Sequence, residues 1–299
     1  MVSGTPSAEL QIDEPMVREL LAAQHGDLAD LPLVHLDTGW DNTMFRLGDE
    51  LVVRLPRRTE AVVLIRNEQA WLPELASRLP IPIPVPVRVG VASDAYPWPW
   101  SILPWLPGEA ADLEAPTDNQ AEPLATFLRA LHQPAPVDAP LNEMRGCPLS
   151  ARAALIEGRL GRLGAATKLI TPAVLDAWSR ALEAAATTEP GWLHGDLHAR
   201  NVLAEGGRIT AVIDWGNVTS GDVATDLASV WMLLGSASAR AACLARYQPS
   251  AARLARAKGW AVSFGTILLE TGMVDHPRHA AMGEAVLRRL NEDAQNKGA

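Results

Sequence analysis

Apolar and polar residues alternate in three short runs, LPLVHLD, TMFRLG and ELVVRLP, around residues 33–55. A period of two is that of half-buried strands, and the turn signals Thr38-Gly39 and Gly48-Asp49 would fold the runs against one another. The spacing then lengthens. Residues 60–79, EAVVLIRNEQAWLPELASRL, fit a helix with Val63, Ile65, Trp71, Leu72 and Leu75 as core positions and Pro73 expected to kink or divide it. In LPIPIPVPVRVG, prolines stand at positions 80, 82, 84 and 86, which predicts an extended linker running into an edge strand near 86–91. WSILPWLPGE, residues 100–109, resumes strand character and stops at Pro107-Gly108.

Beyond residue 120 the pattern is mainly helical. EPLATFLRALHQ repeats apolar residues at Leu124, Phe127, Leu128 and Leu131. TPAVLDAWSRALEAAA opens with Thr171 at an N-cap position and Pro172 at the first helical position. Further helices are expected at 224–234, 238–247, 250–272 and 279–293. They are interrupted once, where residues 192–217 hold two short strands, NVLA and ITAVID, joined by an EGG turn. The plan is an α+β protein. An amino-terminal lobe (residues 1–103) is followed by a hinge (104–107) and a larger, mainly helical lobe (108–299).

Charge and composition narrow the function. The net charge of −9 argues against binding nucleic acid through its backbone. No apolar run is long enough for a bilayer span and no signal-peptide pattern opens the chain, so a cytoplasmic protein without a membrane partner is expected. Cys147 and Cys243 stand far apart in no metal-ligand spacing and read as reduced thiols. Residues 106–150 are rich in acids (Glu109, Asp112, Glu114, Asp118, Glu122, Asp138, Glu143), and Glu270 and Asp275 lie further on. These acids form either a solvated surface or a wall for a cationic ligand.

The densest polar chemistry is HGDLHARN, residues 194–201. His194 and His198 are four apart, the spacing of two zinc ligands on one helix face. A zincin motif, however, needs glutamate directly after the first histidine, where this chain has Gly195, a poor helix residue. The second reading is phosphoryl transfer, which needs an acid at the acceptor hydroxyl and oxygen ligands for Mg²⁺. Protein kinases meet that need with H-x-D-x-x-x-x-N, a short hairpin and D-F-G. Here His194-Gly195-Asp196 leads to Asn201, then through the hairpin to Asp214-Trp215-Gly216.

WLHGDLHARNVL and ITAVIDWGNVTSGDVATDLASVW together closely resemble the central signature of the aminoglycoside phosphotransferase family, antibiotic kinases with a protein-kinase-like fold. The resemblance extends, less distinctively, over nearly the whole chain. It implies a bilobal protein-kinase-like fold with a small antiparallel-sheet lobe and a larger helical one. It also implies Asp196 as catalytic base or hydroxyl-positioning carboxylate, with Asn201 and Asp214 as Mg²⁺ ligands. His194 then shapes the loop, and Asp226 holds that loop from the start of the next helix. His198 is not fixed by the motif. Asp222 is a further cap in that region, and Val223 stands where the family usually has proline.

For the nucleotide, ATP or GTP, the resemblance puts Arg54 of VVRLP where protein kinases have lysine, with Glu68 paired to it. The GWDN turn carries a single glycine. Asn42 and Thr43 there are either donors to the phosphates or ordinary turn residues. Leu103 would be the gatekeeper, with the Pro104 carbonyl and the Leu106 N–H facing adenine. The implied partner is a small-molecule hydroxyl substrate, an aminoglycoside-type antibiotic first. Macrolide-modifying relatives often carry histidine where this chain has Asn201, and kinases of peptide antibiotics, amino alcohols or sugars share the core. A nucleotide-binding pseudokinase would be expected to lack one of Asp196, Asn201 and Asp214; all three are present.

Overall fold

The computed structural model describes residues 7–187 and 189–296, without the side chain of residue 275. The chain divides into two compact units. The first holds residues up to Arg78, Pro82–Leu106 and Ile213–Gly216; the second holds Leu79–Ile81, Pro107–Val212 and the chain from Asn217 onward.

In the first unit, α1 (Glu14–Gln24) precedes β1 (Leu33–Thr38), β2 (Asn42–Leu47) and β3 (Leu51–Pro56). Then come α2 (Val62–Ala76), β4 (Arg88–Gly90) and β5 (Trp100–Pro104). The five strands form one antiparallel sheet in the order β1-β2-β3-β5-β4. The proline-rich segment thus leads to an edge strand, where missing N–H donors cost least. The pattern of the first 30 residues did not announce α1. It is capped by Asp13, whose side chain accepts from the Met16 N–H at 3.1 Å, with Pro15 in its first turn. Val17, Leu20 and Leu21 pack from α1 onto Phe45, Leu47, Val53, Leu55 and Trp100 of the sheet. Each such burial contributes roughly 1.5–3 kcal/mol.

Two expectations for α2 need correction. Pro73 lies inside the helix without dividing it, and Val63 is 56% exposed. The buried face is Ile65, Glu68, Leu72 and Leu75, the i, i+3, i+7, i+10 positions, so helical geometry carries one carboxylate inward with three apolar residues.

The second unit begins with β6 (Glu109–Ala110), α3 (Ala121–Leu131), α4 (Ala153–Ala166) and α5 (Pro172–Glu183). Next are β7 (Gly191–Leu193), β8 (Val202–Glu205), β9 (Arg208–Val212) and β10 (Thr219–Gly221). The helices α6 (Ala224–Leu227), α7 (Ser229–Leu233), α8 (Ala237–Tyr247), α9 (Ala251–Asp275) and α10 (Pro277–Gln295) complete it. Thr171 caps α5 as its sequence suggests, its hydroxyl accepting from the Val174 N–H at 3.4 Å. The expected helix over 224–234 is two short ones, and α4 went unread because glycines 158, 161 and 164 dilute its apolar pattern.

The expected isolated hairpin is part of a three-stranded sheet, β6-β8-β9, and a second small sheet pairs β7 with β10. α9 is the helix about which the unit packs, with Trp260, Ala261, Val262 and Phe264 buried along it. No helix of the described residues is long and apolar enough to cross a membrane.

Candidate active site

In the first unit, the two-residue alternation of β3 sends Val53 and Leu55 into the core below α1 and turns Arg54 to the opposite face. There Arg54 meets Glu68 from the buried face of α2, Nη1 to Oε1 at 2.8 Å. Its Nη2 reaches Asp214 Oδ1 at 2.6 Å. Burial works against the Arg54 charge, but Glu68 and Asp214 outweigh it and hold the guanidinium firmly protonated. Burial pushes the Glu68 carboxyl up to about 7, against the opposing pull of Arg54. The Trp215 N–H also donates to Glu68, so the Asp214-Trp215-Gly216 segment is anchored on the same ion pair.

Asp214 itself has φ 60, a left-handed conformation that aspartate tolerates better than most residues. Its side chain is 54% exposed.

The Asn42 amide is buried as the first residue of β2, not displayed on a turn. With its oxygen turned to Arg54, it accepts from Nε at 3.0 Å and Nη2 at 2.9 Å. The oxygen contact to the arginine leaves Nδ2 as the donor of this amide. Thr43 is buried in the same strand. Leu103 is buried in β5 and Pro104 ends that strand. The Trp105 N–H donates to Glu50 O at 2.6 Å, while the Leu106 N–H donates to none of the described backbone carbonyls.

In the second unit, β7 delivers the chain into His194-Gly195-Asp196. Asp226, buried in α6, accepts from the His194 N–H at 2.5 Å and from the Gly195 N–H at 2.9 Å. These are charge-assisted bonds that clamp the turn. Gly195 has φ +85, and a Cβ there would lie 2.6 Å from Asn217 O, so only glycine fits. His194 Nδ1 accepts from the Asp196 N–H at 3.2 Å. His198 Nδ1 accepts from the Arg200 N–H at 3.3 Å, at the start of a single 3₁₀ turn. The two histidines are thus built into a loop rather than ranged along a helix face, as a zincin pair would be.

That hydrogen bond fixes the proton of neutral His198 on Nε2, which lies 3.5 Å from Asp196 Oδ2. Asp196 Oδ1 accepts from Arg145 Nη2 at 2.9 Å. Burial raises the Asp196 pKa, but Arg145, His198 and His194 outweigh it and hold the carboxyl well below the usual carboxylate range. The Asn201 Nδ2 donates to Asp196 O at 2.9 Å, which leaves the Asn201 side-chain oxygen as the atom of that amide able to act as a ligand. That oxygen and the Asp214 carboxylate are hard donors of the kind Mg²⁺ takes.

Sequence reading missed Arg145, which lies in no motif. An Asx turn positions it: Asn142 Oδ1 accepts from the Met144 N–H at 2.8 Å and the Arg145 N–H at 3.1 Å. Asp222 caps α6 at Ala224 N and is also ion-paired to Arg256 at 2.6 Å. Val223 has φ −61, the backbone angle of the proline it replaces.

The acids of residues 106–143 do not assemble into a wall. Asp112 accepts from Arg278 with both oxygens, at 2.7 and 2.8 Å. Glu114 accepts from the Gly207 N–H at 2.9 Å, and Asp118 from Ser236 Oγ at 2.7 Å. Glu109, Glu122, Asp138 and Glu143 are exposed. Glu270 is held between Arg159 at 3.0 Å and Arg162 at 2.7 Å. The Asp275 side chain lies outside the described residues. Each described acid has its own cation, its own backbone partner, or solvent.

An antiparallel five-stranded unit bearing an Arg–Glu pair, followed by a helical unit bearing a clamped H-G-D loop, is a kinase-like fold of the phosphotransferase class. The model of the phosphotransferase enzyme family matches residues 33–260, and the chain belongs to that family. Among solved structures, the GDP complex of aminoglycoside 2'-phosphotransferase-IIIa is similar at 18% identity and a TM-score of 0.65, covering 96% of this chain and 100% of that one. The macrolide 2'-phosphotransferase MphH of Brachybacterium faecium is similar at 25% identity and a TM-score of 0.58, over 91% of this chain and 96% of that one. The ADP-bound aminoglycoside phosphotransferase APH(2'')-Ib is similar at 19% identity and a TM-score of 0.58, over 95% of this chain and 99% of that one. No curated protein sequence matches the chain.

Proposed function

We propose that the protein is an O-phosphotransferase that moves the γ-phosphoryl group of ATP or GTP to a hydroxyl of a small molecule. The observation that carries this reading is the Asp196 loop, with its carboxylate held ionised and its backbone clamped by Asp226. Asp196 orients the acceptor hydroxyl and takes its proton as the oxygen–phosphorus bond forms. The nucleoside diphosphate leaves with the electrons of the broken bond. A carboxylate held so acidic is a weak base, so alignment dominates over proton abstraction, as a loose phosphoryl-transfer transition state allows.

Asn201 and Asp214 would hold Mg²⁺, which when bound neutralises charge on the phosphate oxygens. Arg54, kept in place by Glu68 and Asn42, would bind phosphate, with the Pro104 carbonyl and the Leu106 N–H facing the base. His194 supports the loop. The names of similar structures make aminoglycosides and macrolides the first acceptors to test.

The test measures acceptor-dependent release of nucleoside diphosphate, with mass analysis of the product. Asp196→Ala should abolish turnover and leave ATP affinity intact; full activity in that variant would falsify the assignment. Asp214→Ala should weaken Mg·ATP binding at least tenfold, and unchanged affinity would remove its ligand role.

A further inference from the structure

The charge around Asp196 is the opposite of what a polycationic acceptor requires. Arg152 is only 4% exposed, yet no carboxylate lies within ion-pair distance of it among the described residues. Its Nη1 donates to Met144 O at 3.1 Å and to the Met144 sulfur at 3.4 Å, while its buried Nε has no partner. Burial pushes its pKa down, and the charges of Arg145 and Arg159 push the same way. A buried cation facing two further cations and no carboxylate of its own is unfavourable unless something negative compensates it.

The surrounding side chains complete a receptor. The Arg145 guanidinium carbon lies 5.1 Å from the centre of the Phe264 ring, and that of Arg152 lies 5.9 Å from the Trp260 ring. Trp260 and Phe264 are four residues apart on α9 and so share one face. Arg145 Nε and Arg159 Nη1 are also buried and unpartnered. The nearby carboxylates are already engaged: Asp196 by Arg145, and Glu270 by Arg159 and Arg162. On the other side of the loop, Arg200 Nη1 faces His279 Nε2 at 2.9 Å. Burial and the neighbouring charges of His276 and Arg200 hold the His279 pKa down at about 4, so that imidazole adds no negative charge and accepts from Arg200.

We propose that the acceptor carries an anionic group, a carboxylate or a phosphate, which Arg152 binds together with Arg145 while Asp196 engages the acceptor hydroxyl. This rests on the phosphotransferase reading and chooses its substrate class. A guanidinium presents paired donors suited to both anions, and a preformed pair of guanidiniums, Arg152 buried and Arg145 half-buried, binds with little further ordering. Ammonium groups of an aminoglycoside would meet Arg145 and Arg152 directly, at a like-charge cost.

The experiment compares hydroxy-carboxylates with their amides, sugar phosphates with the free sugars, and aminoglycosides, reading nucleoside diphosphate release. Turnover of the charged member at least tenfold above its neutral partner is expected, and the carboxylate and phosphate arms identify which anion is used. Arg152→Gln should raise KM for that acceptor at least tenfold with kcat little changed, and Arg152→Lys should recover part of the loss. Inorganic phosphate should raise the melting temperature of the wild-type protein above a chloride control of equal ionic strength, which needs no variant to fold. Neutral or cationic acceptors turned over as well as anionic ones, with no response to phosphate, would overturn the inference and leave the kinase reading intact. Absence of nucleotide binding would instead overturn the kinase reading, and this inference with it.

Discussion

Arg145 donates from Nη2 to Oδ1 of Asp196 at 2.9 Å, so the carboxylate at the centre of the motif is already half of an ion pair. The consequence is a pH dependence that belongs to Arg145 as much as to Asp196. Burial alone would lift the Asp196 pKa, and Arg145 is the foremost group holding it down. Arg145→Gln should therefore bring an acid limb into the turnover profile. Activity should fall several-fold more than in the wild type near about pH 5.5 and by much less near pH 8, since only the ionised carboxylate works. Profiles that differ by a constant factor at every pH would show that Arg145 has no hold on this titration. The stability sign follows. A carboxylate with a depressed folded pKa contributes stability that is present above its unfolded value of about 3.9 and is lost as pH falls through the folded one. The variant should be less stable than the wild type at neutral pH, and the gap should close in strong acid.

Glu68 has the opposite sign. Burial raises its carboxyl to about 7, so between the ordinary carboxylate value and that point the folded chain holds this proton more tightly than the unfolded one. Its contribution to stability therefore declines as pH rises across that window. Glu68→Gln should flatten that part of the stability curve in urea unfolding measured from about pH 5 to pH 8. Glu68→Ala would leave Asp214 as the only carboxylate bonded to Arg54, at a cost of about 3 kcal/mol. An unchanged pH slope in the Gln variant would show that Glu68 titrates as an ordinary carboxylate.

Much of this site was legible because its parts are consecutive or periodic. Asp196, Asn201 and Asp214 are spaced along one loop and one hairpin, and Glu68 lies on a readable helix face, although its burial was hidden because a charged letter does not mark a core position. The strands of the first unit carried a clean two-residue period. Arg145 and Arg152 were illegible for a physical reason: they reach Asp196 and α9 only through tertiary packing, from a segment of turns without periodicity. The short strand at Glu109–Ala110 was equally hidden, since two residues carry no pattern and its partner β8 is about ninety residues away. The burial of Asn42 was hidden because β2 begins one residue earlier than the turn pattern suggests, which turns that side chain inward.

Two glycines with left-handed backbone separate a conformational need from a packing need. Gly195 has φ +85 and no room for a Cβ, which would sit 2.6 Å from Asn217 O. Gly206, in the turn between β8 and β9, has φ +58 with nothing within 4 Å. Gly195→Ala should displace the loop that carries Asp196 and reduce kcat on the order of 100-fold, since small misplacements of reacting groups are costly. Gly206→Ala should cost about 1 kcal/mol of stability and leave kcat unchanged. Equal kinetic effects in the two variants would mean that the Asp226 clamp, not the glycine, sets the loop geometry.

The fold of the second unit also rests on a buried ion pair between α8 and α10. Arg240, fully buried in α8, donates to Asp293 Oδ1 of α10 from Nε at 3.0 Å and Nη2 at 2.6 Å. Its Nη1 donates to Gly235 O at 2.7 Å, and Asp293 Oδ2 accepts from Trp231 Nε1 at 2.8 Å. One guanidinium thus satisfies a helix end and a carboxylate that is itself tied to a buried indole. Arg240→Met should destabilise by about 3–5 kcal/mol, because it strands the carboxylate and the carbonyl together. The arginine's own contribution is smaller than that loss, since much of the penalty lies in the partners left behind. Combining Arg240→Met with Asp293→Leu should therefore be less destabilising than the sum of the single changes, by about 1–3 kcal/mol in a double-mutant cycle. Strict additivity would show that the two side chains contribute independently, with Arg240 acting on α10 through Glu292 and the Arg289 carbonyl instead.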